Sequence, residues 1–142
     1  MTRRALLVGG DAPIPALCRE FFENFHGDDY KIETVEYCDD ALALLLRRTF
    51  DVVLVLSLRA PWRTWPSLSY PALHIGSESA ILFLKQMRAL HNPVPVLVVS
   101  ARADVEAEAL RNGAFAFILK PIVFSELDRA VADALSHGEV HP

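Results

Sequence analysis

Five stretches of this 142-residue chain carry groups that could do chemistry. Gly9-Gly10-Asp11 follows an apolar run, where a glycine turn can cradle a phosphate on backbone N–H groups. No G-x-G-x-x-G accompanies it, so a plain strand-to-helix turn is the commoner reading. Asp11 could hold a metal ion, but a carboxylate just before a helix opened by Pro13 more often caps that helix. Ser57 is a weak nucleophile with no evident base beside it. Ser100 offers a hydroxyl, and Lys120, before Pro121, a cation that could meet an anion. Trp62, Trp65 and Tyr70 sit in a proline-rich stretch. Two roles fit them equally: a partner-binding surface, and a loop packed on its own pocket.

The histidines (His26, His74, His91, His137, His141) show no metal-ligand spacing. Cys18 and Cys38 are too few for a disulfide framework and read as core thiols in a reducing, cytoplasmic setting. The residues imply neither a metal site nor a cofactor, and no acid/base pair is convincing, so binding ranks above catalysis.

These groups need a scaffold, and the apolar pattern supplies one. Ala5–Val8, Val52–Leu58, Val94–Val99 and Ala114–Leu119 are short apolar runs, as expected of strands buried on both faces. Lys31–Tyr37 alternates and reads as an edge strand. Between them lie amphipathic segments. Leu17, Phe21 and Phe25 predict one helical face, and Leu42, Leu45 and Leu46 another, with Asp39 or Asp40 as its cap. Asp28-Asp29 reads as a turn. A third helix opens at Ser77 or Ser79, a fourth spans Ala103–Asn112 and ends at Gly113, and a fifth spans Phe124–Ser136. Residues 59–76 have no clean period and read as a loop, and residues 137–142 as a flexible tail. Five alternating strands and helices predict an α/β fold with a five-stranded parallel sheet in the order 2-1-3-4-5, covered on both faces as a three-layer sandwich. Sites in such sheets lie at the carboxyl ends of the strands. The length predicts a single domain over residues 1–136.

Composition narrows the function. Hydrophobic residues make up 52% and charged residues 23% of the chain, which is globular. The net charge of −4 leaves no basic field for nucleic acid, so this domain alone is not expected to bind it. No apolar stretch approaches the roughly 20 residues of a membrane span, so no membrane partner is expected.

The strand ends resemble those of response-regulator receiver domains, a flavodoxin-like family. Pro95-Val-Leu-Val-Val-Ser100-Ala101 looks like the family's fourth strand with its hydroxyl residue. Gly113-Ala114-Phe-Ala-Phe117-Ile-Leu-Lys120-Pro121 looks like the fifth strand with its Lys-Pro pair, whose bond the resemblance implies to be cis. Phe124-Ser-Glu-Leu127 is similar to the start of the last helix, and Phe50-Asp51-Val-Val-Leu…Pro61 to the third strand. The resemblance covers nearly all of the chain except roughly residues 62–74. It makes Ser100, Phe117, Lys120 and Pro121 retained switch positions.

The departures fall on the phosphorylation site. The family's acidic pair cages Mg²⁺, and those positions are Gly9 and Gly10, with Asp11 one residue beyond. The phospho-acceptor stands four residues before a proline, and counting back from Pro61 gives Ser57. Asp51 lies at the opposite end of the strand, about 20 Å away by strand rise. Phosphoryl transfer needs a carboxylate nucleophile and a metal to neutralise the phosphoryl oxygens. The resemblance therefore implies a pseudo-receiver without enzymatic activity, which signals by phosphorylation-independent protein–protein contact. The family's usual dimer surface, helix 4–strand 5–helix 5, would here hold Arg102, Asp104, Glu108, Arg111, Asp128 and Arg129. The competing expectation is a module for a small anionic ligand or nucleotide, held by Gly9-Gly10, Ser57, Ser100 and Lys120.

Overall fold

The computed structural model describes residues 2–57, 60–63 and 79–140, the last four by backbone alone. Five parallel strands form one sheet: β1 (Arg3–Val8), β2 (Tyr30–Val35), β3 (Val52–Val55), β4 (Val96–Ser100) and β5 (Ala116–Leu119). Their order is β2-β1-β3-β4-β5, as the alternating pattern predicts. The helices are α1 (Ile14–His26), α2 (Cys38–Arg47), α3 (Ser79–Ala89), α4 (Glu106–Arg111) and α5 (Phe124–Val140). Single 3₁₀ turns at Gly27–Asp29 and Ala103–Val105 precede β2 and α4.

Side-chain alternation along the strands splits the core into two layers. Leu6, Val8, Val53, Val55, Val96 and Val98 pack with α2, α3 and α4 through Ala41, Leu45, Phe83, Leu84 and Ala109. Ala5, Leu7, Val52, Leu54, Leu56, Leu97 and Val99 pack with α1 and α5 through Cys18, Phe22, Leu127 and Val131. β2 is the edge strand, and no residue in it is fully buried.

The helical faces depart from expectation by about one residue. In α1 the buried row is Cys18 and Phe22, while Leu17 is exposed and Phe25 is 72% exposed. The Leu17–Phe21–Phe25 row lies at the helix flank, where the Phe21 ring stacks on Phe124 at 5.1 Å. In α2 the buried residues are Cys38, Ala41 and Leu45, with Leu46 69% exposed. Both helices lie on a sheet that admits a narrow stripe, and a neighbouring apolar row need not face inward. α3 is buried almost all round, from Ser79 to Leu84 and again at Met87. α5 runs on to Val140, so the first four residues of the expected tail have helical backbone. Leu127, Val131 and Ala134 anchor the preceding turns, and helix propagation continues from an anchored nucleus.

Candidate functional site at the carboxyl edge of the sheet

β1 and β3 run in register with Val8 opposite Val55, so both deliver their next residues to one edge. There Gly9 donates its N–H to the Val35 carbonyl at 2.9 Å. Gly9 and Gly10 adopt φ of +68° and +95°, a region that side chains other than glycine's occupy at a cost. The space a side chain would need is filled. A Cβ on Gly9 would lie 2.8 Å from the Cβ of Ala60, and one on Gly10 2.9 Å from the Cβ of Leu56. Ala60 and Leu56 are fully buried.

Ala60 is held in place by a cluster of bonds. Its N–H donates to the Ser57 carbonyl at 3.1 Å, and its own carbonyl accepts from the Cys38 thiol at 3.5 Å. Cys38 N–H donates to Pro61 O at 2.8 Å. Arg63 donates its N–H to Asp39 at 2.8 Å and its guanidinium to Asp40 at 3.1 Å, over the Tyr37 ring. Neither Asp39 nor Asp40 caps α2, contrary to expectation. The helix begins at Cys38 with Tyr37 at the N-cap, which leaves both carboxylates in the first turn, facing Arg63.

Trp62 is half-buried against the α2–α3 core, and its indole N–H donates to Ser79 O at 3.2 Å. Trp65, Tyr70 and most of the 59–76 stretch lie outside the described residues.

Asp11 is exposed, and its carbonyl, not its carboxylate, receives the Ile14 N–H. The expected cap is thereby corrected. Ala12 and Pro13 separate Asp11 from the first helical residue, and Pro13 takes the N-cap position without a side-chain bond. Ser57 is half-buried at the end of β3. Asp51 accepts the Arg4 N–H at 2.8 Å at the start of β3, at the far edge of the sheet.

The β4–β5 half differs. Ser100 is buried, its hydroxyl oxygen accepts the Arg102 N–H at 3.0 Å, and its carbonyl accepts the Lys120 N–H at 2.9 Å. The Lys120–Pro121 bond is cis, as the resemblance implies, and so is Ala12–Pro13. Lys120 lines an apolar cleft of about 250 Å³ with Ile14, Leu17, Pro121, Ile122 and Phe124. Its ammonium acts on Cys18, whose thiol burial pushes up to about 11 while the positive charge pulls the other way. Burial, with Asp39 beside it, also pushes the Cys38 thiol up. Phe117 is half-buried against the α2–α4 side of the core.

The edge does not fit Mg²⁺, which takes carboxylate oxygens and water. The positions flanking Ser57 offer glycines backed by apolar Ala60 and Leu56, and Asp11 points to solvent. No group of three or more His, Cys, Asp or Glu placed to hold a metal occurs among the described residues. The groove of about 470 Å³ beside Gly9-Gly10 is lined by Ala12, Pro13, Pro15, Thr34 and Glu36 among others, with no Lys or Arg among its described lining.

No family model matches the chain. In sequence it is 28% identical over 113 residues to the transcriptional regulatory protein ZraR of Salmonella typhimurium, covering 78% of this chain and 22% of that protein. It is 31% identical over 106 residues to the DNA-binding transcriptional regulator NtrC of the same organism, covering 73% and 19%. The chain thus spans about a fifth of the length of these relatives. In fold it matches the receiver domain of the Francisella response regulator 1452 with a TM-score of 0.73 at 19% identity, covering 96% of this chain and 99% of that one. It also matches a CheY-like receiver domain protein of Methanospirillum hungatei with a TM-score of 0.75 at 19% identity, covering 98% of both.

The chain belongs to the response-regulator receiver domains. Such domains are signalling modules of two-component systems. Within this receiver, sequence reasoning located the strand ends but missed Leu56 and Ala60. The one signal for them was the Gly9-Gly10 pair itself, since two adjacent glycines mark a close approach of something else.

Proposed function

We propose that this receiver signals without an aspartyl phosphate, as a pseudo-receiver that binds protein partners and catalyses nothing itself. The observation that carries the reading is the filled edge. Ala60 and Leu56 occupy the space that side chains at Gly9 and Gly10 would need, and Ser57 stands where the family resemblance puts the acceptor. A site that had lost only its carboxylates would leave a polar hollow, whereas this one is closed by apolar packing.

On this reading residues 1–136 act as one unit in the cytoplasm, with residues 59–76 as an inserted loop, and regulate an output module in a longer protein. No described helix is long and apolar enough to cross a membrane. Trp62, Trp65 and Tyr70 mark the loop as one partner surface. The second is the α4–β5–α5 face, suited to a symmetric pair. It exposes Leu110, Leu119 and Val123 among charges such as the Arg102–Asp104 pair at 2.8 Å, the mixture of apolar centre and polar rim typical of interfaces. Asp128, expected on that face, instead reaches across to α1, where His26 holds it at 2.6 Å.

The test is intact-mass spectrometry after incubation with Mg²⁺ and acetyl phosphate, beside a phosphorylatable receiver. The expected result is no added phosphoryl mass on this chain while the control is labelled. Added mass on this chain would overturn the reading and direct mapping to Ser57 and Asp11.

A further inference from the structure

We propose that the amino edge of the sheet carries a ligand site, which takes a small monocarboxylate with an apolar body. A cavity of about 700 Å³ lies there, between the end of α3, the loop into β4 and the turn from α4 into β5. Pockets for small molecules commonly span roughly 300–1,000 Å³. The cavity shares no lining residue with the groove beside Gly9-Gly10 or with the Lys120 cleft, which lie at the other end of the strands. Its floor is apolar. Leu84, Met87, Val96 and Ala114 are buried, and Ala134 of α5 joins them from the other layer of the core.

The rest of the lining is polar and of one sign. Arg88, His91, Asn92 and Asn112 take part, and no Asp or Glu does among the described lining. In a chain of net charge −4, a cavity with a guanidinium and no carboxylate is a local reversal of charge. The guanidinium is held in place. Its Nη2 donates to the carbonyl of Arg111, the last residue of α4, at 3.2 Å. It lies over Gly113, where φ is +106° and a Cβ would stand 3.1 Å from the same nitrogen. A guanidinium has five N–H donors, and the Arg111 carbonyl is its one hydrogen-bond partner among the described residues. Asn112 is committed to the Glu108 carbonyl at 2.8 Å. Asn92 accepts the Val94 N–H on its Oδ1 at 3.1 Å, which leaves its NH₂ as a donor.

His91 adds a second observation. It ends α3 with φ +55°, the left-handed conformation usually given to glycine at this place. Its N–H donates to the Arg88 carbonyl at 3.0 Å, and the Asn92 N–H to the Met87 carbonyl at 3.1 Å. Glycine would serve that turn better, so the imidazole is kept at a cost. One permanent cation beside an apolar floor selects the ligand class. A carboxylate meets the guanidinium as a planar, bidentate partner, and an apolar body covers Met87 and Phe115. Inorganic phosphate gains nothing from the floor, and a nucleotide's phosphates carry more charge than one guanidinium balances. The outcome of the phosphorylation experiment does not bear on this edge of the sheet.

The test is an NMR titration of the full chain with phenylacetate, beside phenylacetamide and inorganic phosphate. The expected result is saturable shifts of the His91, Asn92, Gly113 and Ala114 amides with a Kd of about 1 mM or below, and binding of the amide and of phosphate about tenfold weaker or more. Arg88→Met keeps the stem and should weaken phenylacetate binding about tenfold. His91→Gly should weaken it about threefold while raising the melting temperature, a split that a purely structural role would not give. In the unaltered chain, shifts that do not saturate by about 20 mM, shifts centred elsewhere, or equal affinity for the amide or for phosphate would each overturn the site, whether or not either variant folds. So would unchanged affinity in a folded Arg88→Met chain.

Discussion

The two halves of the sheet's carboxyl edge have gone different ways. The positions that the resemblance makes acidic are Gly9 and Gly10 after β1 and Ser57 after β3, and Leu56 and Ala60 fill the space that side chains on the two glycines would need. At β4 and β5 the hydroxyl of Ser100 accepts the Arg102 N–H, Phe117 is half-buried and the Lys120–Pro121 bond is cis, at the positions that the resemblance assigns to the switch. The first half is closed by apolar packing, and the second keeps polar groups at its edge. Packing is unforgiving of added atoms, while a polar group that has lost its charged partner is free to change. The two halves should therefore respond to substitution very differently.

The largest effect is expected from restoring the acids. Gly9→Asp and Gly10→Asp each place a Cβ under 3.0 Å from Ala60 or Leu56, on a backbone with positive φ. Each should cost about 3 kcal/mol from overpacking and backbone strain together. Urea unfolding measures this, and neither variant should gain stability from added Mg²⁺. A sharper version pairs Gly10→Asp with Leu56→Ala. Leu56→Ala alone should cost about 2–5 kcal/mol, and because it clears the clash, the double variant should fall short of the sum by 1 kcal/mol or more. Strict additivity would show that Leu56 is not what closes the edge.

The next effect is alkaline. A thiol raised from 9.0 to about 11 on folding holds its proton more tightly in the folded chain, as Cys18 does. Its stabilising contribution is complete below pH 9 and is lost as pH rises towards 11, by up to about 3 kcal/mol. Cys38, which lies under Ala60 and is raised in the same direction, adds to the loss. Stability followed from pH 8 to 11 should fall for the unaltered chain and fall less for Cys38→Ala after allowance for its lower starting point. A flat profile would mean that the thiols under the closed half are not sealed from solvent.

A smaller effect is expected at Ser100. Ser100→Ala removes the acceptor of the Arg102 N–H and should cost about 1 kcal/mol. A larger loss would place Ser100 in the packed half after all.

How much of this was legible beforehand divides along similar lines. The strand order and the location of the site came from apolar runs such as Val52–Val55 and Val96–Val99, because a strand buried on both faces leaves a continuous signature. The missing carboxylates were equally plain, being a matter of residue identity. What filled their place was not. Leu56 reads as one more apolar strand residue. Its contact with the Gly10 position depends on the parallel register of β1 with β3, which composition does not encode. The helical faces failed for a related reason. Leu17, Phe21 and Phe25 recur as cleanly as Cys18 and Phe22, and only the docking of α1 on the sheet decides between adjacent rows. The capping roles of Asp11 and Asp39 failed because a short acidic side chain near a helix start has several partners in reach. Here Arg63 took Asp39.

Lys120 is where the contrast between the halves is most easily broken. Among the described residues its ammonium makes no hydrogen bond or ion pair, and its influence is the field it exerts on the Cys18 thiol, while its backbone N–H is already committed to Ser100. Lys120→Met keeps the stem that lines the apolar cleft and removes only the charge. Global stability at pH 7 should therefore change by no more than about 0.5 kcal/mol, the range of a surface substitution. The alkaline loss should shift instead. Without the ammonium, the Cys18 thiol rises further, and its contribution should persist to higher pH than in the unaltered chain. A loss of several kcal/mol at pH 7 would mean that Lys120 is bound into the fold as firmly as Ala60. The β4–β5 half would then be no less rebuilt than the other.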